Sequence, residues 1–215
     1  MDPIETTVAA VREVGPDAVA IDIETPSGFE AAPGQFVKLS AELDGDTTGR
    51  FYTVSSPDTE AVFEITVGYD AEEAGAFSEY LQAIEAGDTV TITGPFGNDY
   101  YEGEPRAVII AGGPGVGPAV AIAERALADG HDAAVVYVDD EPLHEDRLAS
   151  LSAGGANVLV LNGAEQLGDA VADAVTNGDG EQVFVYGFSS FLEDATAAIE
   201  AAGGDADAAK TENFG

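Results

Sequence analysis

The chain has 215 residues, of which 41 are acidic and only seven are basic, and its net charge is −34 at pH 7. This charge excludes ordinary binding to the nucleic-acid backbone, which needs clustered lysine and arginine. Cysteine is absent, which excludes disulfides, thiolate nucleophiles and cysteine-ligated zinc or iron–sulfur clusters.

The acidic residues are distributed along the whole chain. This pattern predicts a solvated surface adapted to a halophilic cytoplasm, because the Debye length is only about 3 Å in molar salt. The first residues lack the pattern of a secretory signal, and no apolar run approaches the roughly 20 residues of a membrane span. We therefore expect a cytoplasmic location without membrane insertion. No metal-ligand spacing is present, and we expect the two isolated histidines, His131 and His144, to be surface residues.

The first hundred residues read as strands and turns. Val19, Ile21 and Ile23 alternate with polar or small residues, and similar alternation recurs at 63–69 and 89–93. A period of two predicts half-buried antiparallel strands, and the spacing of the turns suits a barrel or a sandwich. One short helix is predicted over 76–84, where three apolar residues share a face.

From about Arg106 the pattern changes to apolar strands that alternate with helical segments. Such alternation predicts a parallel sheet covered on both faces. Ser190 and Glu193 predict a capping box at the start of the last helix. The expected domains are residues 1–103, an antiparallel β-barrel or sandwich, and residues 104–215, an α/β domain.

A glycine-rich turn, GGPGVGP at 112–118, follows the apolar strand AVIIA and precedes a helix. Glycines let the backbone approach a pyrophosphate, and a helix N-terminus offers free N–H groups. Pro118 suits the first helical turn. The alternative interpretation is a tight strand–helix turn without a ligand.

Acidic residues follow the second strand of this half at 139–141. An acid such as Asp139 can accept hydrogen bonds from a ribose 2′-hydroxyl and would repel a 2′-phosphate, which favours NADH over NADPH. Ordinary surface charge is an equally good explanation in so acidic a chain. The nearby Arg147 leaves NADPH open.

The run RFYTVSS at 50–56 places a cation, a phenol and three hydroxyls on one extended segment. Arg50 could bind a pyrophosphate through its bidentate fork, and a neighbouring hydroxyl could bind a flavin ring nitrogen. An ordinary strand with one surface arginine is the alternative.

Together these features resemble the ferredoxin–NAD(P)H reductase family of flavoproteins over nearly the whole chain. The family's flavin signature, an arginine, any residue, a tyrosine and then serine or threonine, is matched by Arg50, Tyr52 and Thr53. Five more segments resemble family segments in the family's order: PGQFV at 33–37, GAFS at 75–78, GPFG at 94–97, GGPGVGP at 112–118 and ENFG at 212–215.

The resemblance implies that the barrel binds FAD and that the α/β domain binds NADH or NADPH. It also implies an enzyme that moves electrons from NAD(P)H through FAD to an acceptor such as ferredoxin or another redox protein. It places Tyr52, Thr53 and Phe214 at the reacting rings; Arg50, Val67, Gly75, Ala76, Phe77 and Ser78 at FAD; and Gly112, Gly113, Gly115, Gly117, Asp139 and Gly187 at the nicotinamide nucleotide.

Two departures from the family pattern matter. Where the family often has Cys-Gly-Pro, this chain has Tyr186, Gly187 and Phe188, so the thiol is lost. Where relatives often have a basic residue after the signature strand, this chain has Gly68. More of the pyrophosphate binding would then depend on Arg50 and backbone N–H groups. We expect no obligatory protein acid or base, because hydride transfer needs mainly alignment.

Two other functions are consistent with the sequence. An electron-transfer subunit that is inert outside a larger complex would hold flavin but show negligible turnover. A nucleotide-sensing or structural module would hold no flavin. Phe214 could cover a flavin or nicotinamide ring, or could fill the domain interface. The identity of the acceptor and the oligomeric state do not follow from the sequence.

Overall fold

The computed structural model describes residues 2–43, 45–68 and 76–214. The described chain forms strands and one short helix in its first half, and alternating strands and helices in its second. The elements are β1 Ile4–Gly15, β2 Ala18–Glu24, β3 Phe36–Leu43, β4 Asp46–Thr53, β5 Val62–Gly68, α1 Ala76–Gln82, β6 Thr89–Phe96, β7 Arg106–Gly112, α2 Val116–Ala128, β8 Asp132–Val138, α3 Glu145–Ala153, β9 Asn157–Leu161, α4 Leu167–Ala174, β10 Glu181–Gly187, α5 Ser189–Ala201 and β11 Lys210–Asn213.

Strands β1–β6 form one antiparallel sheet in the order β4-β3-β6-β1-β2-β5. Its two edges meet at an antiparallel bridge between Val54 and Ile65, next to a 2.7 Å hydrogen bond from Ser55 N to Glu64 O. The alternating apolar residues, among them Ile21 and Ile23, point into a buried interior. The expected antiparallel barrel is confirmed.

Strands β7–β11 form a parallel sheet in the order β11-β10-β7-β8-β9. Helices α2 and α3 contribute to one apolar cluster on this sheet, and α4 and α5 contribute to another. Because both faces are covered, strands such as β7 are buried along nearly their whole length, which explains their continuous apolar sequences. The expected α/β architecture is also confirmed.

The structure differs from the sequence prediction in four local details. Helix α3 and strand β11 were not predicted, because α3 buries only Leu148 and Leu151 and β11 is four residues long. Helix α1 ends at Gln82 instead of residue 84. The predicted capping box of Ser190 and Glu193 is wrong, since α5 already begins at Ser189 and its N-cap, Phe188, receives no side-chain cap.

The prediction that His144 is a surface residue is also wrong. Its exposed fraction is only 4%, and it lies at the start of α3 in the left-handed conformation, with φ of 53°. Its backbone N–H donates to Val14 O at 2.8 Å, and its Nε2 lies 2.8 Å from Thr66 Oγ1. His144 is therefore part of the junction between the barrel and the α/β half. Sequence gives no sign of this, because the acidic residues around it suggest a solvated loop.

Candidate functional site

A cleft of about 950 Å³ separates the barrel from the carboxyl ends of the parallel strands. This volume lies at the upper end of the usual range for ligand pockets, roughly 300–1,000 Å³. The barrel wall includes Arg50, Phe51, Tyr52, Thr53, Val67 and Ser78, and the opposite wall includes Pro114, Pro118, Asp139, Glu141, Phe188 and Phe214.

The cleft brings together residues that are far apart in the sequence. Of the residues that the resemblance assigns to the cofactors and the reacting rings, seven line it: Arg50, Tyr52, Thr53, Val67, Ser78, Asp139 and Phe214. Ala76 is exposed at the start of α1, whereas Phe77 is 2% exposed and belongs to the barrel core. Gly75 lies outside the described residues. Phe77 thus has a packing role, and a contact with a phosphate could involve only its backbone.

Most glycines of the predicted phosphate loop are needed for packing. A Cβ on Gly115 would collide with the backbone O of Tyr186, and a Cβ on Gly117 would collide with Ser55 Oγ. Gly113 is different, because it has φ of 56° and nothing within 4 Å of its hypothetical Cβ. Gly113 therefore leaves open space in which a ligand could approach the backbone.

Gly112 and Gly187 end the neighbouring strands β7 and β10, and both lie against the ring of Phe191. A Cβ on Gly112 would come within 2.7 Å of this ring, and a Cβ on Gly187 within 2.6 Å. Both glycines allow α5 to pack close to the carboxyl ends of the sheet. They do not themselves line the cleft in the described structure.

Glu212 is a candidate functional residue that the sequence analysis missed. Thr53 Oγ1 donates a 3.1 Å hydrogen bond to Glu212 Oε1, and both residues line the cleft. Burial raises the pKa of Glu212 to about 7, although the hydrogen bond from Thr53 lowers it. Glu212 can therefore hold or release a proton near neutral pH. Its place in the terminal ENFG segment was the only sequence signal.

Phe188 and Phe214 form an aromatic pair at the cleft, with an edge-to-face geometry and a centroid separation of 6.3 Å. Phe214 N donates to Gly187 O at 3.0 Å, which fixes the end of the chain beside β10. Phe188 is 48% exposed, while Phe214 packs on the apolar cluster of the second half. Phe214 thus packs against the second half of the chain and also lines the cleft.

The side of the cleft formed by β8 is acidic. Asp139 accepts a 2.9 Å hydrogen bond from the Tyr137 hydroxyl and another of 2.9 Å from Glu141 N. These contacts fix the Asp139 carboxylate at the end of β8. Arg50 is the one basic residue among the described residues that line the cleft.

Positive charge is scarce over the rest of the molecule. Arg12, Arg106, Arg125, Arg147 and Lys210 are paired with carboxylates at 2.6–3.0 Å. Within the described ranges, Lys38 and Arg50 form no such pair. They lie on the adjacent strands β3 and β4, where Lys38 is opposite Phe51 and Arg50 is opposite Leu39.

The cleft fits a flavin dinucleotide. Arg50 is exposed and without a carboxylate partner in the described structure, as a phosphate-binding arginine should be. Tyr52 offers a ring and Thr53 a hydroxyl, and a hypothetical Cβ on Gly68 would touch only Pro114, at 3.9 Å. Among the residues that the structure describes, no group of carboxylates and histidines could hold a metal ion, and no helix is both long and apolar enough to cross a membrane.

Comparisons with known proteins place this architecture among flavoproteins. Residues 5–101 match the family of the oxidoreductase FAD-binding domain. The chain is 30% identical over 169 residues to ferredoxin–NADP reductase B of Sorangium cellulosum, covering 73% of this chain and 68% of the relative. It is 31% identical over 123 residues to a probable electron transfer subunit of dihydroorotate dehydrogenase B from Methanopyrus kandleri, covering 57% of this chain and 44% of the relative.

Solved structures show the same fold. A ferredoxin–NADP⁺ reductase from Neisseria gonorrhoeae, with bound FAD and NADP, superimposes with a TM-score of 0.82 at 17% identity, and the match covers 100% of both chains. The FAD/NAD-binding domain of nitric oxide dioxygenase from Vibrio cholerae gives a TM-score of 0.83 at 20% identity, again over 100% of both chains. Several curated relatives are longer, and this chain spans only 36–44% of the length of three of them.

Proposed function

The chain belongs to the ferredoxin–NAD(P)H reductase family, and we propose that it is an FAD-dependent enzyme that oxidises NAD(P)H and passes the electrons to a separate redox protein. The observation that carries the proposal is that Arg50, Tyr52 and Thr53 line the same cleft as Pro114 and Pro118 of the glycine loop. Bound FAD would supply the redox chemistry, accepting two electrons as hydride and releasing them to the acceptor.

The barrel residues would bind and orient the flavin. Arg50 has the geometry to neutralise a pyrophosphate, and Ser78 can donate a hydrogen bond from the first turns of α1. Tyr52 would pack on the isoalloxazine ring and Thr53 would hydrogen-bond to its edge. Val67 adds an apolar wall. Substitution Arg50→Ala should weaken flavin retention, and unchanged flavin content would show that the phosphate-binding residue is misassigned.

The second half would bind the nicotinamide nucleotide. Gly113 leaves its backbone open to a pyrophosphate, and Gly112, Gly115 and Gly117 keep the loop tight against the sheet. Gly187 and Phe188 would lie next to the nicotinamide ring at the end of β10. The roles of these glycines therefore differ. Gly113 would give the ligand access to the backbone, and the other three allow the loop to pack in its observed shape.

Thr53 and Glu212 would hold a proton at the cleft. With a pKa of about 7, Glu212 is partly protonated near neutrality and can exchange a proton with the Thr53 hydroxyl, 3.1 Å away. The expectation that no protein acid or base is obligatory stays a prediction, and we propose beside it that the Thr53–Glu212 pair can supply a proton. This pair would also exclude water from that edge of the cleft.

We further propose that NADH is preferred over NADPH. Asp139 and Glu141 give the end of β8 negative charge, which would repel a 2′-phosphate. Arg147, which the sequence left open as a phosphate ligand, is already bound to Glu64, Glu124 and Ser55 O. Asp139→Ala should raise kcat/KM for NADPH relative to NADH, and an unchanged ratio would contradict the assignment.

The acceptor would approach an aromatic patch beside the cleft. Phe36, Phe51 and Phe96 have ring centroids 5.6–6.0 Å apart, and Phe51 is 60% exposed. Lys38 lies opposite Phe51 on the same face. In molar salt an apolar contact is not screened, whereas steering by charge is. Because Phe51 also lines the cleft, Phe51→Ser should raise KM for the acceptor protein by a larger factor than it changes the rate of flavin reduction by NADH.

One experiment separates the proposal from its alternatives. The chain should be purified in molar KCl, its visible spectrum recorded, and NADH and NADPH added without oxygen. A yellow protein that is bleached, and that then reduces artificial acceptors, supports the enzyme. Bleaching with negligible turnover would favour an electron-transfer subunit, and a colourless protein would favour a nucleotide-sensing module. We also propose a halophilic cytoplasm as its location, based on the charge of −34.

A further inference from the structure

A largely buried ion-pair network crosses the junction between barrel and α/β half. Its charged side chains lie outside the cleft lining, but Ser55, which Arg147 binds, belongs to that lining. Its centre is Arg147 on α3, whose side chain is 21% exposed. Arg147 Nη1 donates to Glu64 Oε1 on β5 at 2.7 Å, and its Nε and Nη2 donate to both Glu124 oxygens on α2 at 2.8 and 2.7 Å. One side chain thus joins the barrel to two helices of the second half.

The same guanidinium reaches the segment that directly follows the flavin signature. Arg147 Nη2 donates to Ser55 O at 2.8 Å, and Ser55 follows Thr53 by two residues. Ser55 Oγ accepts hydrogen bonds from Thr66 N at 3.1 Å and Thr66 Oγ1 at 3.0 Å. Thr66 Oγ1 in turn contacts His144 Nε2 at 2.8 Å. Two contacts across the junction therefore end on two barrel residues, Ser55 and Thr66, that are hydrogen-bonded to each other.

The glycine loop packs against these same two residues. Gly117, in the first turn of α2, lies so close to Ser55 Oγ and Thr66 Oγ1 that a Cβ would collide with both. Ser55 thus touches the wall proposed for flavin on one side and the wall proposed for the nicotinamide nucleotide on the other. Its position sets the distance between those walls.

We propose that Arg147 is a positioning residue: by binding Glu64, Glu124 and the Ser55 carbonyl together, it fixes the separation between the flavin-binding strand and the glycine loop. The assignment rests on the proposed function. It also explains why one of only seven basic residues is placed inside the junction. Buried pairs are screened by salt much less than surface pairs. The ion pairs of Arg147 should therefore persist in molar salt.

The charge state of the network supports this role. Burial disfavours the charged guanidinium, but the hydrogen bond to Glu124 and the charges of Glu64 and Glu124 outweigh it, and the pKa of Arg147 is raised. Glu64 Oε2 is also bound by Arg12 Nη2 at 2.6 Å. Removing Arg147 alone would leave Glu64 with half of its partners, so a test needs a variant that neutralises both residues.

The test compares Arg147→Met, Arg147→Lys and the double variant Glu64→Gln/Arg147→Met with the wild type in molar KCl. Arg125→Met is the matched control, because it removes a positive charge and an ion pair from the exposed surface of α2. Two quantities are measured: the rate of flavin reduction by NADH in anaerobic rapid mixing, and amide hydrogen exchange of the flavin-free proteins at Ser55 and Thr66.

We expect the double variant to keep its flavin and bind NADH within about threefold of the wild type. Hydride transfer should slow by about 10- to 100-fold, since a misplacement of about 1 Å can cost about 100-fold. Exchange at Ser55 and Thr66 should accelerate, Arg147→Lys should be intermediate, and Arg125→Met should match the wild type in both measurements.

Several results would overturn the inference. Wild-type hydride transfer in a folded double variant would do so, as would unchanged exchange at Ser55 and Thr66. If none of the three Arg147 variants folds, the residue is a determinant of stability and the positioning role is discarded. If the wild type holds no flavin, the proposed function fails. Faster exchange in the double variant would then still support the positioning role of Arg147, and unchanged exchange would reject that role as well.

Discussion

Replacing Glu212 with glutamine should change the pH dependence of stability in a defined direction. Glu212 accepts a hydrogen bond from Thr53, and burial raises its pKa to about 7 from an ordinary value of 4.5. Between these two values the unfolded chain has lost its proton while the folded chain still holds it. Stability contributed by this group is therefore complete below pH 4.5 and is lost as pH rises toward 7.

The size of the effect follows from the two pKa values. A difference from 4.5 to about 7 corresponds to roughly 3.4 kcal/mol, at 1.36 kcal/mol for each pH unit. Because part of the side chain is accessible to water, screening reduces this to about 2 kcal/mol. Glutamine keeps the shape and can still accept from Thr53, but it does not titrate. Between pH 4.5 and 8, Glu212→Gln should therefore gain about 2 kcal/mol relative to the wild type.

The assay is equilibrium unfolding in urea at constant molar KCl, followed by circular dichroism at pH 4.5, 6, 7 and 8. Glu200→Gln is the control, since Glu200 lies on the exposed face of α5. A constant difference between Glu212→Gln and the wild type at all four pH values would refute the reasoning, because it would mean that Glu212 titrates alike in the folded and unfolded chains.

Three further predictions concern other parts of the molecule. Burial first, and then the charges of Arg147 and Arg12, lower the pKa of His144 to about 3. The free energy of unfolding should therefore fall by up to about 1.4 kcal/mol per pH unit as pH drops below 6.5. Urea unfolding should show that His144→Asn removes this acid sensitivity and that the control variant His131→Asn retains it. Gly117→Ala should lower the free energy of unfolding by about 1–3 kcal/mol, because its Cβ would collide with Ser55 and Thr66. Gly168→Ala should raise it by about 0.5–1 kcal/mol, because Gly168 has open space around it in helix α4. Equal melting temperatures for the two variants would contradict this. Dilution from molar KCl to about 0.1 M should unfold the protein, because its charge is then no longer screened, and an unchanged circular dichroism spectrum would contradict an adaptation to salt.

The sequence predicts an element of the fold wherever its burial leaves a clear pattern of apolar residues. Residues 19–23 alternate because one face of β2 points into the barrel, and the continuous apolar run of β7 reflects a strand covered on both faces. Helix α3 was not predicted, because only Leu148 and Leu151 are buried on it. Strand β11 was not predicted, because it is held by backbone pairing with β10. Backbone pairing leaves little side-chain pattern in a strand of four residues.

The site was less predictable than the fold. Local motifs led to Arg50, Tyr52 and Thr53, and all three line the cleft. Glu212, however, lies 159 residues from Thr53 in the sequence and meets it only in three dimensions. The same is true of His144, whose burial comes from a strand of the other half. A carboxylate or histidine gives no sequence sign of its neighbours in a chain with so many acids.

The ring of Phe191 has a consequence for how the glycine motifs should be interpreted. It occupies the space beneath Gly112 and Gly187 together, so a methyl group at either position would push α5 away from the sheet. A descendant that had lost all affinity for nucleotides would still need both glycines to keep this helix in place. A sequence motif of this kind can therefore be retained for packing after the binding activity is lost. Among the glycines of this loop, only Gly113, with its open backbone, indicates a ligand.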